Sequence, residues 1–203
     1  MSTAFVKDPV NDQAFLVHSG GPLPMLLMGT AVQWNDEYAV TVKHLPFVSG
    51  SVFQGRGDVQ FFRHKAASAP RWRQYQPGET VTAVGFNSLY LPMQGEGKTL
   101  TAMVRLSAND GGVMYGTHTG STAKGMSGGP VFAQDGSAVG ISVAYLDQNR
   151  LQKLKRADLS SQPQVSIFLP YAEINREWQR FSAQLQAKSR PKPAPIGLAA
   201  AGQ

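Results

Sequence analysis

The 203-residue chain has no cysteine, few charges and no long apolar run. Without cysteine there is no disulfide scaffold, no Cys-ligated zinc, no iron–sulfur cluster and no thiol nucleophile. Any covalent nucleophile must be another side chain. Charged residues make up only 16% against 42% hydrophobic ones, too few charges for a mostly disordered chain and enough apolar material for a sizeable core. The stretch Leu23 to Met28 is interrupted by Pro24 and falls far short of the about 20 residues that a membrane-crossing helix needs. Met1 to Asp12 carries Asp8, Pro9 and Asp12 with no apolar run, which reads as no signal peptide and a cytoplasmic setting, whether in a bacterium or encoded by a plasmid or phage.

Net charge is +6, and its placement says more than its sum. Residues 1–149 hold 10 basic and 10 acidic side chains, whereas residues 150–203 hold 9 basic and 3 acidic. The body is neutral and the C-terminal part basic. A basic end can attract nucleic acid or another anionic surface weakly, but no clustered aromatics or nucleic-acid motif accompany it.

Short alternating or β-branched runs recur between turn signals: Met25 to Gln33, Glu37 to Lys43, Val59 to Arg63, Thr80 to Phe86, Thr99 to Leu106, Pro130 to Ala133, Ala138 to Ala144 and Val165 to Leu169. With 21 glycines and 13 prolines as punctuation, including Gly95-Glu96-Gly97, this rhythm predicts an all-β fold of sandwich or barrel type. One helix is expected after Pro170, where Tyr171, Ile174, Trp178, Phe181 and Leu185 define a single apolar stripe. Ala66 to Pro77 reads as a connector between two lobes, at 1–75 and 76–187. Residues 188–203, rich in Pro, Lys and Arg and then Ala and Gly, read as a disordered tail.

The sharpest chemical signal is Gly125-Met126-Ser127-Gly128-Gly129-Pro130. Glycines there let the backbone approach a substrate closely and free the N–H groups of Gly125 and Ser127 to face a developing oxyanion, although a plain β-turn can share this composition. A serine hydroxyl needs a positioned base. Of the four histidines, His44 ends the apolar run Tyr38 to Lys43, which follows Gly29-Thr30-Ala31-Val32. His18 and His64 read as surface or structural residues. No metal or cofactor is expected.

Taken together, Gly-Thr-Ala-Val, then Val-Thr-Val-Lys-His, then Gly-Met-Ser-Gly-Gly-Pro resemble the trypsin-like (chymotrypsin-fold) serine proteases. Gly78 to Gly85, reading Gly-Glu-Thr-Val-Thr-Ala-Val-Gly, is most similar to Cys-free HtrA-type and compact bacterial or viral members. The resemblance spans roughly Met25 to Tyr145. It implies two packed antiparallel β-barrels and a Ser-His-Asp triad in which Asp58, at the head of Asp-Val-Gln-Phe, orients His44, and His44 takes the proton from Ser127. His44 and Asp58 stand only 14 residues apart, closer than in most relatives, which demands a trimmed intervening hairpin. Asp110 and Asp36 are fallbacks without the strand context.

The same resemblance makes Ser121 the floor of the specificity pocket and Lys124 a neighbour of the oxyanion turn. It makes Ser142, Val143, Ala144 and Tyr145 the pocket's edge, with Val143 and Ala144 able to pair with an extended polypeptide substrate. An uncharged floor disfavours basic substrate residues. Ser142 stands where glutamate-cutting relatives carry histidine, so a small or medium apolar side chain is the expected guest, in a pocket that Tyr145 partly fills. Met126 occupies the place of the aspartate that pairs with a new N-terminus in secreted zymogens, and cannot make that ion pair. The rival expectations are a catalytically silent scaffold that binds protein or nucleic acid, and a protease that cuts itself or one dedicated partner.

Overall fold

The computed structural model describes residues 13–20, 27–153, 155–156 and 158–189. Runs of β-branched and aromatic residues form eleven strands among them: β1 (Ala14–His18), β2 (Met28–Gln33), β3 (Tyr38–Thr41), β4 (Ser51–Gln54), β5 (Gln60–Arg63), β6 (Thr80–Phe86), β7 (Pro92–Lys98), β8 (Gly116–His118), β9 (Pro130–Ala133), β10 (Ala138–Asp147) and β11 (Gln164–Pro170). Two helices, α1 (Gln148–Lys153) and α2 (Tyr171–Ser189), complete the described elements.

The strands make two curled antiparallel sheets, ordered β1-β2-β3-β5-β4 and β7-β6-β9-β10-β11-β8. Single bridges draw the ends of each sheet together. Ser19 just past β1 bridges Val48 ahead of β4, and Thr99 just past β7 bridges His118 of β8. Curling in this way reduces the unpaired strand edge that an open sheet would present.

The expected strand at Thr99 to Leu106 is not there: its ladder is reduced to the isolated pairs Thr99–His118 and Val104–Tyr115. Conversely, Gly95-Glu96-Gly97, read as a turn, lies inside β7. Close approach of another backbone explains those glycines, since a Cβ on Gly95 would fall 1.8 Å from the Ser121 carbonyl oxygen and one on Gly97 2.0 Å from the Gly120 nitrogen. The strand thereby supports the loop that leads to Ser127. Residues 64–79 link the sheets; there Arg71 and Arg73 both reach Asp135, and Arg73 also pairs with Glu79.

Helix α2 follows the second sheet in the chain but packs on the first. Trp178 sits 5.2 to 5.8 Å from the rings of Phe61, Tyr38 and Trp34, and Phe181 sits 5.3 Å from Phe53. The apolar stripe read from the sequence is thus spent on tying the lobes together, and one core cluster joins Val40 and Phe61 to Ile141 and Ile167. Phe181 is only 4% exposed, so Phe181→Ala should cost about 3–5 kcal/mol. Urea titration should show this as a lower midpoint with an unchanged slope. The helix ends at Ser189, two residues beyond the expected lobe boundary. The rest of the expected tail, and the leader reading of residues 1–12, lie outside the described residues.

Candidate active site

His44 lies beyond β3 in a turn that a buried amide clamps. Gln60 of β5 is fully buried, and its Nε2 donates to the carbonyls of Val42 and Leu45, both at 2.8 Å. Lys43 adds a bond from Nζ to the Gly55 carbonyl at 3.0 Å. The short spacing to Asp58 is met by the compact β4–β5 hairpin, whose turn carries Gly57 at φ 66° and Asp58 itself. Asp58 grips His44 twice: Oδ1 accepts the His44 backbone N–H at 2.8 Å, and Oδ2 lies 2.5 Å from Nδ1. Neither fallback carboxylate takes this place. The Asp110 carboxylate accepts from the Tyr115 hydroxyl at 3.2 Å, and Asp36 uses its backbone carbonyl to hold Ala66.

Tyr115 was not foreseen as part of this region. Fully buried, it accepts the Asp58 backbone N–H at 3.0 Å while donating to Asp110. Burial, and then the charges of Asp110 and Asp58, push its phenol well above the usual tyrosine range, so it stays a hydroxyl donor. A β–turn–β run ending Tyr-Gly-Thr-His carries no signal that would have singled it out.

Ser127 sits in the turn before β9, and Thr30 of β2 holds that turn from the other lobe. The Thr30 backbone N–H donates to the Ser127 carbonyl at 2.8 Å, and its hydroxyl donates to the Gly125 carbonyl at 2.9 Å while accepting the Phe86 N–H at 3.1 Å. Gly29 lies where the two halves of the site meet: a Cβ there would fall 3.1 Å from both the Leu45 side chain and the Ser127 carbonyl oxygen. Gly125 adopts φ 102°, a conformation suited to glycine, and a Cβ on it would fall 2.6 Å from the Phe86 carbonyl oxygen. Among the described residues, neither the Gly125 nor the Ser127 N–H donates to another backbone or side-chain group. Met126 is buried, and its Sδ accepts the Ala123 N–H at 3.2 Å, a packing role.

The Ser127 hydroxyl donates to the Val143 carbonyl at 3.2 Å, and that bond, not one to His44, is the one it makes here. A β-bulge aims that carbonyl: β10 pairs Ser142 with Phe168 but Ala144 with Ile167, leaving Val143 as the extra residue. A cavity of roughly 280 Å³ opens beside Ser127, bounded by Thr122, Lys124, Ser142, Val143, Ala144 and Tyr145 together with Asp147 and Arg150. Ser121 is not among its walls; Thr122 stands there instead, and the Ser121 backbone packs on Gly95. Tyr145 forms a wall and is 41% exposed, and the cavity remains open beside it. Asp147 and Arg150, at the β10–α1 junction, were missed because the sequence shows no clear boundary between that strand and so short a helix.

The other histidines have structural surroundings. His64 stacks on Phe15 at 4.3 Å and bonds Gln33, and His18 lies 5.5 Å from Tyr90. His118 is completely buried, which lowers its pKa to about 4 and keeps it neutral at neutral pH.

Two curled antiparallel sheets with a C-terminal helix, meeting where a histidine–aspartate pair and a glycine-flanked serine lie, constitute a chymotrypsin-like fold. Residues 33–141 match the trypsin-like peptidase domain, and the chain belongs to that family. Solved structures agree on the fold. The Rv3671c protease from M. tuberculosis in its active form is 14% identical, with TM-score 0.65 over 85% of this chain and 84% of that one. A serine endoprotease from Yersinia pestis is 15% identical, with TM-score 0.61 over 84% of this chain. The HtrA-type protease AlgW, solved with a tripeptide, is 13% identical, with TM-score 0.66 over 83% of this chain. The match spans 63% and 60% of the latter two chains. No curated protein sequence gave a significant match. Among the described residues no helix is long and apolar enough to cross a membrane.

Proposed function

We propose that this protein is a serine endopeptidase acting through Ser127, His44 and Asp58. The observation that carries the reading is the 2.5 Å contact between His44 Nδ1 and the Asp58 carboxylate. A carboxylate there favours the tautomer with the proton on Nδ1 and leaves the Nε2 lone pair to act as base. Ser127 Oγ, after rotating away from Val143, gives its proton to Nε2 and attacks the substrate carbonyl carbon. The resulting oxyanion is received by the N–H groups of Gly125 and Ser127, which donate to no other group among the described residues. The C–N bond breaks as His44 returns the proton to the leaving amine, and water repeats the sequence in reverse to free the acid. The proteins similar in fold are proteases, which supports a polypeptide substrate.

The Ser127–Val143 hydrogen bond favours a second reading, a silent or self-processing protease-fold protein that binds a protein or nucleic acid. For the nucleic-acid form of that reading, part of the basic excess is already committed: Arg176 and Arg180 of α2 pair with Glu173 and Glu177. A fluorescent fluorophosphonate, with mass spectrometry of the labelled peptide, separates the readings. An active triad should give label confined to Ser127 and lost on heat denaturation. A folded protein that takes no label would overturn the peptidase reading.

A further inference from the structure

The cavity beside Ser127 has polar fittings that an apolar guest would leave unused. Ser142 is 2% exposed, and its hydroxyl has no hydrogen-bond partner among the described residues. A buried hydroxyl without a partner is destabilising, and this one belongs to a cavity wall where a ligand could supply the missing contact. Lys124 and Arg150 border the same cavity and are exposed. Neither the Lys124 ammonium nor the Arg150 guanidinium has an ion-pair partner among the described residues. The one carboxylate in the lining, Asp147, is engaged elsewhere: its Oδ1 accepts the Arg150 backbone N–H at 2.8 Å, capping the first turn of α1. Two cations against one committed anion leave the mouth positive.

We infer that this pocket selects a substrate side chain bearing a carboxylate, glutamate or aspartate, at the residue whose carbonyl Ser127 attacks. The inference rests on the peptidase reading and names its substrate class. Such a side chain accepts from the Ser142 hydroxyl and offsets the one net positive charge left by Arg150 and Lys124 against Asp147. An apolar one would seal the hydroxyl without a partner, and a lysine would meet two like charges. The expectation of an apolar guest rested on uncharged Ser121 as the pocket floor and on Ser142 in the place of a histidine. Arg150, which lies 23 positions beyond Ser127, reverses that balance.

The test uses isosteric peptides with Glu, Gln, Leu or Lys at the cleaved position. The Glu peptide should exceed the Gln and Leu peptides in kcat/KM by about tenfold or more, as expected for one charge-assisted contact in a partly screened site. The advantage should shrink at high salt. Arg150→Gln should raise KM for the Glu peptide about tenfold, and Arg150→Glu should shift preference toward the Lys peptide. Calorimetry with the Ser127→Ala protein and peptides ending in Glu, Gln or Leu reads the pocket without chemistry. Equal or faster cleavage of the Leu peptide would overturn the pocket inference while leaving the peptidase reading intact. Selective binding of the Glu-ended peptide with no cleavage by the unaltered protein would overturn the peptidase reading and keep the carboxylate pocket. Neither cleavage nor selective binding overturns both.

Discussion

Ser127→Ala and His44→Ala should each lower kcat for a cleaved peptide by about 10⁵–10⁶-fold, and the double variant should fall little further. The reason is that nucleophile and base act as one unit. Without Oγ there is nothing for the imidazole to deprotonate, and without the imidazole a serine hydroxyl is a poor nucleophile. Stability should barely change, because Ser127 Oγ makes a single bond to the Val143 carbonyl and the His44 side chain is about half exposed. The Thr30 contacts that hold the turn use the Ser127 and Gly125 carbonyls, which both variants keep. Single-turnover rates beside thermal melts would check this. Additive losses in the double variant would mean that the two residues serve separate processes.

Asp58→Asn should cost about 10⁴ in kcat near neutral pH while leaving the backbone frame in place. The His44 N–H can still be accepted by an amide oxygen, and the Asp58 N–H that donates to Tyr115 is untouched. What changes is the tautomer. An amide NH₂ facing Nδ1 makes that nitrogen an acceptor, moves the imidazole proton to Nε2, and leaves no lone pair toward Ser127. Asp110→Asn is the matched control, since the Asp110 carboxylate touches the phenol of Tyr115 and not the imidazole. Its loss should stay within about tenfold, the scale of one neutral hydrogen bond. Rates of the two variants on one peptide, with the downfield Nδ1 proton resonance of His44 as a structural readout, decide the matter. Equal losses would place the orienting role outside Asp58.

Much of this was legible because the informative residues are local. Glycine at 125 and 128 to 129, a serine between, and a histidine closing a β-branched run announce their backbone demands within a few positions of themselves, and strands such as Thr80–Phe86 and Pro130–Ala133 begin and end as their alternation predicts. What escaped depends on distant partners. Gly95 and Gly97 look like a turn until the Gly120 to Ser121 backbone is laid on them, and Thr99 to Leu106 looks like a strand although no continuous neighbour pairs with it. Gln60, Thr30 and Tyr115 orient the site through bonds spanning 15, 95 and 57 residues. No window of sequence contains both ends of such a contact. The bulge at Val143 has the same character, because it exists only in the register against β11.

Helix α2 has a further consequence that concerns time. Polypeptides are made and begin folding from the N-terminus, yet the helix that covers Trp34, Tyr38, Phe53 and Phe61 is the final described element. The first sheet therefore emerges with an aromatic face that stays bare until residues 171–189 have been synthesised, an interval in which it is open to chaperones or to aggregation. Throughout that interval the nascent chain already carries His44 and Asp58, and later Ser127, before the segment that binds their two lobes together has been made.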